Sequence, residues 1–403
     1  MKKTCALVGI LLMLAAYAPA ANTVPDLVRG NTAFALDLYA QLGESGKNLF
    51  FSPFSISTAL AMTYAGARES TAAEMADALH FPPDHTKLHP LFSELLAHLG
   101  RIGEKGEIKL HSANAIWIEK TYAIQDSFQT LNRSRYGAAI FSTDFIKEYE
   151  ASRKKINLWV EERTESKIRD LLPPGIIDDR TRMVLTNAVY FFGKWAAPFP
   201  PRSTQEADFF VSPSHSVRIP MMQQKAHFGY AESDLCQVLE LPYRGKDLSM
   251  LILLPRERDG LPGLESGLTA ESLLRLTSDL KRKEVRIHIP KFQLTESFDL
   301  KQALRDLGMI RAFTRRADFS GMEPKRELFV SAVIHKAFLA VDEAGTEAAA
   351  ATAVIMALKA SMPLGEPPVF RADHPFLFLI RDNATASVLF LGRLIDPSRS
   401  DPD

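Results

Sequence analysis

The sequence predicts an α+β fold. Three observations carry that reading: segments with helical apolar spacing gather in the first half, continuous or alternating apolar runs gather in the second, and no linker splits the chain. At 403 residues, 46% of them hydrophobic, the chain is long enough to bury a substantial core. Asn31 is placed to cap a first helix that carries Phe34, Leu36 and Leu38. Residues 53–65 read as a buried helix behind Pro53. Residues 71–79, 88–99 and 149–168 continue the helical pattern, the last with Ile156, Trp159 and Val160 on one face. Residues 183–192 (MVLTNAVYFF) and 248–254 (LSMLILL) are nearly continuous apolar runs, as strands covered on both faces must be. Val285, Ile287 and Ile289 alternate with Arg286 and His288, the pattern of a half-buried strand. Residues 376–380 and 388–394 flank a polar turn and predict a terminal hairpin.

Lys plus Arg equals Asp plus Glu, at 48 each, which gives no support to a nucleic-acid or membrane-surface partner. The clusters Lys281, Arg282, Lys283 and Arg315, Arg316 read as solvated faces. Lys2 and Lys3, a short apolar run over 5–17, and the small residues Ala18 and Ala20 read as a secretory signal over 1–20. The expectation is a secreted protein, extracellular or periplasmic, with a single domain over 21–403. Removal of the signal leaves one thiol, Cys236, so no internal disulfide forms. Asn132 and Asn383 head glycosylation sequons.

Catalytic motifs are missing. No G-x-S-x-G, H-E-x-x-H, C-x-x-C or G-x-G-x-x-G occurs. Residues 43–47 (GESGK) miss the phosphate-loop pattern, because Gln41 stands where its first glycine belongs and Asn48 where Ser or Thr belongs. His85 and His89 have no third ligand nearby and read as a surface pair. Cys236 reads as a small buried hydrophobe. The expectation is a protein that is not an enzyme and holds no metal or cofactor.

The most informative segment is 342–368. An acidic, glycine-containing hinge (342–347, DEAGTE) runs into eleven uncharged residues (348–358, AAAATAVIMAL), then Lys359 and a proline-rich exit. A flexible linker would be Gly/Ser-rich or charged. The alanines favour helix in isolation, whereas Thr352, Val354 and Ile355 favour strand. Such a composition suits exposure in one state and a buried strand in another. Strand side chains alternate in direction. If Thr346 faces inward, so do Ala348, Ala350, Thr352, Val354 and Met356, a set without charge, while Glu347 faces solvent. Gly345 gives the hinge its backbone freedom.

Five motifs in order resemble the serpin family, from about Asn31 to Pro397. They are 48–57 (NLFFSPFSIS), 186–195 (TNAVYFFGKW), Pro220-Met221-Met222 with 239–243 (LELPY), 335–346 (HKAFLAVDEAGT) and 374–378 (HPFLF). The resemblance implies three β-sheets, eight or nine helices and an exposed reactive loop over about 343–368. It implies a monomer whose partner is a serine protease: the protease cuts the loop, and the upstream half enters the main sheet as a new strand. Family spacing puts the scissile residue sixteen after Glu343, at Lys359–Ala360, which suits a trypsin-like enzyme. Counting back from Pro375 lands near Leu364 instead, and Leu358 as scissile residue would suit a chymotrypsin-like enzyme. Ser52, Ser55, Asn187 and His335 match the family's polar cluster under the main sheet, where strands must part. Trp195, Lys291 and Glu343 match the point where insertion begins, with an ion pair between Lys291 and Glu343. A non-inhibitory serpin acting as carrier or chaperone is the alternative.

Overall fold

The computed structural model describes residues 23–43, 46–82, 85–346 and 366–399. Among them are the helices α1 (Val24–Leu42), α2 (Pro53–Tyr64), α3 (Glu69–Ala78), α4 (His85–Glu104), α5 (Asp126–Tyr136), α6 (Phe145–Arg163), α7 (Leu261–Ser266), α8 (Ala270–Ser278) and α9 (Lys301–Asp306). The strands of the first half are β1 (Leu49–Phe51), β2 (Ile108–Glu119), β3 (Ala139–Thr143), β4 (Met183–Lys194) and β5 (Gln205–Ser212). Then come β6 (His215–Glu232), β7 (Cys236–Pro242), β8 (Leu248–Pro255), β9 (Lys281–Pro290) and β10 (Phe292–Asp299). The last are β11 (Ala332–Val341), β12 (Gly345–Thr346), β13 (Val369–Arg371), β14 (Phe376–Asp382) and β15 (Val388–Leu394). The α+β class holds. The 18-residue β6 pairs with β5 and β9 and, by its last residues, with β7, so two of the three expected sheets share one continuous nine-stranded ladder.

The main sheet runs β10-β11-β12-β4-β2-β3. It is covered on both faces, which explains why β4 reads as a nearly unbroken apolar run. Leu185, Val189 and Phe191 of β4 face the large core shared with α2 and the second sheet. Val184 and Ala188 face a smaller cluster under α6, with Trp117, Phe145, Ile156 and Val160. Between the sheets, Phe390 of β15 stacks on Phe50 at 5.3 Å and meets Phe191 at 5.6 Å. The terminal hairpin forms as β14 and β15, with Phe376 opposite Leu394.

Several local readings are corrected. Thr23, not Asn31, caps α1: its hydroxyl accepts from the Asp26 amide while the Asp26 carboxylate accepts from the Thr23 amide at 3.0 Å. Asn31 is a buried mid-helix residue that accepts from the Ser57 hydroxyl at 2.8 Å. The helix read over 149–168 starts earlier, where the Asp144 carboxylate accepts from the Lys147 amide. It ends at Arg163, because Glu165 and Ser166 adopt positive φ. His89 is not on the surface. The period of α4 turns it inward with Leu88 and Phe92, and its Nδ1 lies 2.7 Å from the Tyr136 hydroxyl. Asn132 is fully buried with its amide donated to the Phe128 carbonyl, so its sequon is inaccessible in the fold, whereas Asn383 is exposed. Cys236 is buried, and burial pushes its thiol up.

Phe390→Ala is expected to cost about 3–5 kcal/mol, because it empties a fully enclosed aromatic position. A chemical-denaturation midpoint measured beside the wild type checks this.

Candidate functional site, a seam in the main sheet

β4 and β11 run parallel, in register from Ala332 opposite Val184 to Phe338 opposite Tyr190. Parallel ladders carry slanted hydrogen bonds and are slightly less stable per residue than antiparallel ones. Above Phe338 the two strands diverge, and β12 sits between them. Its Thr346 pairs antiparallel with Val341 on one side and Gly193 on the other. The seam is closed below and already split at its top by a stub two residues long.

Glycine is required at 345 by close approach. A Cβ there would meet the Gly193 carbonyl oxygen at 2.2 Å. Thr346 is fully buried and faces inward, its hydroxyl 2.8 Å from that of Tyr243, and burial pushes the Tyr243 hydroxyl up. Asp342 ties the turn behind the stub by accepting from the Ala344 and Gly345 amides at 2.8 and 3.1 Å.

The three residues expected where insertion begins come together. Lys291 lies 2.8 Å from Glu343, and the Trp195 indole donates to the Asp342 carbonyl at 3.0 Å. Burial works to raise the Glu343 carboxyl, but hydrogen bonds from Lys291 and from Thr204 at 2.7 Å outweigh it and hold it below the usual carboxylate range. Trp195 stacks on Tyr243 with ring centres 4.7 Å apart.

The four cluster residues also converge, below the stub. His335 stands directly opposite Asn187 across the seam. Its Nε2 is 3.1 Å from the Ser52 backbone nitrogen, which can only donate, so Nε2 carries no proton. Nδ1–H therefore donates to the Asn187 carbonyl. The Asn187 amide in turn donates to the Ser55 hydroxyl at 2.6 Å and to the Asn114 carbonyl. Ser52 closes the set by donating to the Leu389 carbonyl at 2.7 Å. Burial lowers the His335 pKa to about 3, in agreement with a neutral ring. Every donor direction is consistent.

Four participants are given no role by sequence reasoning: Thr204, Asn114, Ser112, whose hydroxyl lies 3.1 Å from that of Ser55, and Tyr243, which enters only as the last residue of the 239–243 motif. Asn114 carried a signal, since it stands opposite Asn187 on β2 and extends one polar row across three strands. Thr204 and Tyr243 meet the hinge only through long-range packing. Lys359, Ala360 and the positions Ala348, Ala350, Thr352, Val354 and Met356 lie outside the described residues.

A family model described as Serpin (serine protease inhibitor) matches residues 29–397. This chain belongs to the serpin family. It is 46% identical over 383 residues to the leukocyte elastase inhibitor of Sus scrofa, with 92% of this chain and 100% of that one covered. To human Serpin B3 it is 41% identical over 392 residues, covering 92% of this chain and 100% of that one. Among solved structures, Serpin48 of the insect Tenebrio molitor superposes with a TM-score of 0.83 at 34% identity, covering 93% of this chain and 98% of that one. Human thyroxine-binding globulin complexed with thyroxine gives 0.85 at 31%, covering 93% of this chain and 100% of that one. The serpin is a protease inhibitor by family, not an enzyme.

Because the His335 pKa is depressed in the fold, the unfolded chain binds a proton that the native state refuses between pH 6.5 and about 3. The stability held above pH 6.5 should fall as the solution is acidified. Between pH 6.5 and 5 the wild type should lose about 1.6 kcal/mol more than His335→Gln, read from denaturation midpoints of both proteins across that range.

Proposed function

We propose that this serpin inhibits a serine protease as a suicide substrate, the cut loop entering the main sheet between β4 and β11. The stub carries the reading: Thr346 is already seated in the seam, paired on both sides, and points inward. From that residue the inward positions run Ala348, Ala350, Thr352, Val354 and Met356, none charged. Insertion would exchange one parallel ladder for two antiparallel ones and bury an apolar strand, both favourable changes.

The reactive bond is Lys359–Ala360 when counted from Glu343, which matches a trypsin-like target with an acidic primary pocket. The relatives favour a second reading of the target. Several are named leukocyte elastase inhibitor, and that name supports Leu358 as the scissile residue and a chymotrypsin-like or elastase-like enzyme as target. Export through residues 1–20 belongs to the same proposal, with a mature chain that begins at Ala21.

Incubation with trypsin, chymotrypsin or an elastase is expected to give a complex with one of them that survives boiling in detergent. Mass spectrometry of the released peptide then names the bond. Cleavage by all three without any complex, and with no rise in the melting midpoint, sinks inhibition and leaves the carrier reading. Thr346→Arg puts a guanidinium where the threonine is fully buried. It should convert the inhibitor into a substrate, with complex formation reduced at least about tenfold while cleavage continues.

A further inference from the structure

We propose that an arginine-lined cavity at the foot of the β4–β11 seam receives the carboxylate created when the reactive loop is cut. The inference rests on loop insertion as proposed above. Its geometry starts from the stub, where Gly345 lies opposite Lys194 and Thr346 opposite Gly193, antiparallel. Each further residue steps one place back along β4. Met356 then falls opposite Met183, Leu358 opposite Thr181 and Lys359 opposite Arg180. On the other side, the pairing of Thr346 with Val341 steps down the same way and brings Leu358 opposite Phe329.

That landing place is a cavity of about 380 Å³. Arg180 and Arg182 reach it from the segment before β4, and Arg315 and Arg326 from the segment before β11, with Glu327 the one carboxylate in its wall. Tyr122 and Phe329 supply its rings. Arg180 is held by Asp178 at 2.6 Å and Arg326 by Asp318 at 3.3 Å. The Arg182 guanidinium donates to the Asp179 and Thr181 carbonyls, both at 3.0 Å. Among the described residues Arg315 makes no ion pair. A surplus of guanidinium groups facing one cavity is chemistry for an oxyanion, which two of them can hold in charge-assisted, forked hydrogen bonds.

The loop supplies that oxyanion. When water cleaves the acyl ester, its oxygen joins the acyl carbon, one of its protons goes to the protease serine and the other to solvent, and the scissile residue ends as a carboxylate. By alternation from Thr346, Leu358 faces the core side beside Phe329 and Lys359 faces solvent. Cutting at either residue puts the new terminus within one residue of Arg180. The arginines bracket the seam from both strands, so an anion there ties the two strands together only after the new strand has filled the gap.

Synthetic peptides of residues 347–359, one with a free C-terminal carboxylate and one amidated, test this on the intact serpin. Both should anneal, and the acid should leave about tenfold more slowly than the amide, the factor given by about 1.4 kcal/mol of ion pairing. The difference should vanish in an Arg182→Gln/Arg315→Gln variant that keeps the wild-type melting midpoint. Equal release of acid and amide from the wild type overturns the carboxylate receptor while leaving insertion standing. Failure of both peptides to anneal overturns insertion, and the receptor with it.

Discussion

The weak contact between β4 and β11 governs everything else in this molecule. Two parallel strands meet there in the middle of an otherwise well-paired sheet, and antiparallel neighbours hold each from outside. The backbone ladder there is only slightly less stable per residue than an antiparallel one. It is reinforced by the chain of directed hydrogen bonds from Ser52 through His335 and Asn187 to Ser55 and Asn114. Such a network is firm while every member is satisfied and costly once a single partner is lost. Its donors and acceptors sit on three strands and at the start of α2, so parting β4 from β11 must break the direct bond between His335 and Asn187.

The hinge end is anchored differently. Glu343 is gripped by Lys291 and Thr204, the Asp342 carbonyl by the Trp195 indole, and the Glu343 and Ala344 carbonyls by the Phe199 and Trp195 amides at 2.8 and 3.0 Å. These contacts fix where β12 starts. The seam is thus split at its hinge end and hydrogen-bonded in its middle.

Much of this was legible in the sequence, for identifiable reasons. Nearly unbroken apolar runs gave β4, β8 and the terminal hairpin, because burial on two faces leaves few ways to write a strand. The cluster residues were legible through motif resemblance rather than through periodicity. Boundaries were less so: Thr23 and Asp144 cap their helices from positions that composition alone does not single out. His89 was misjudged because it was paired with His85 by spacing alone, whereas the helix phase buries it against Tyr136. Partners such as Tyr243 and Thr204 touch the hinge only across more than a hundred residues of chain. No local pattern encodes a contact of that range.

The stacking of Trp195 on Tyr243 has a spectroscopic consequence. This chain has three tryptophans, and Trp117 and Trp159 pack together on the α6 side of the sheet, away from the hinge. Trp195 alone is bonded to the hinge backbone. Any rearrangement of that backbone alters the surroundings of one indole, so the molecule carries its own optical probe. Emission recorded in a stopped-flow instrument would time such a rearrangement without an added dye.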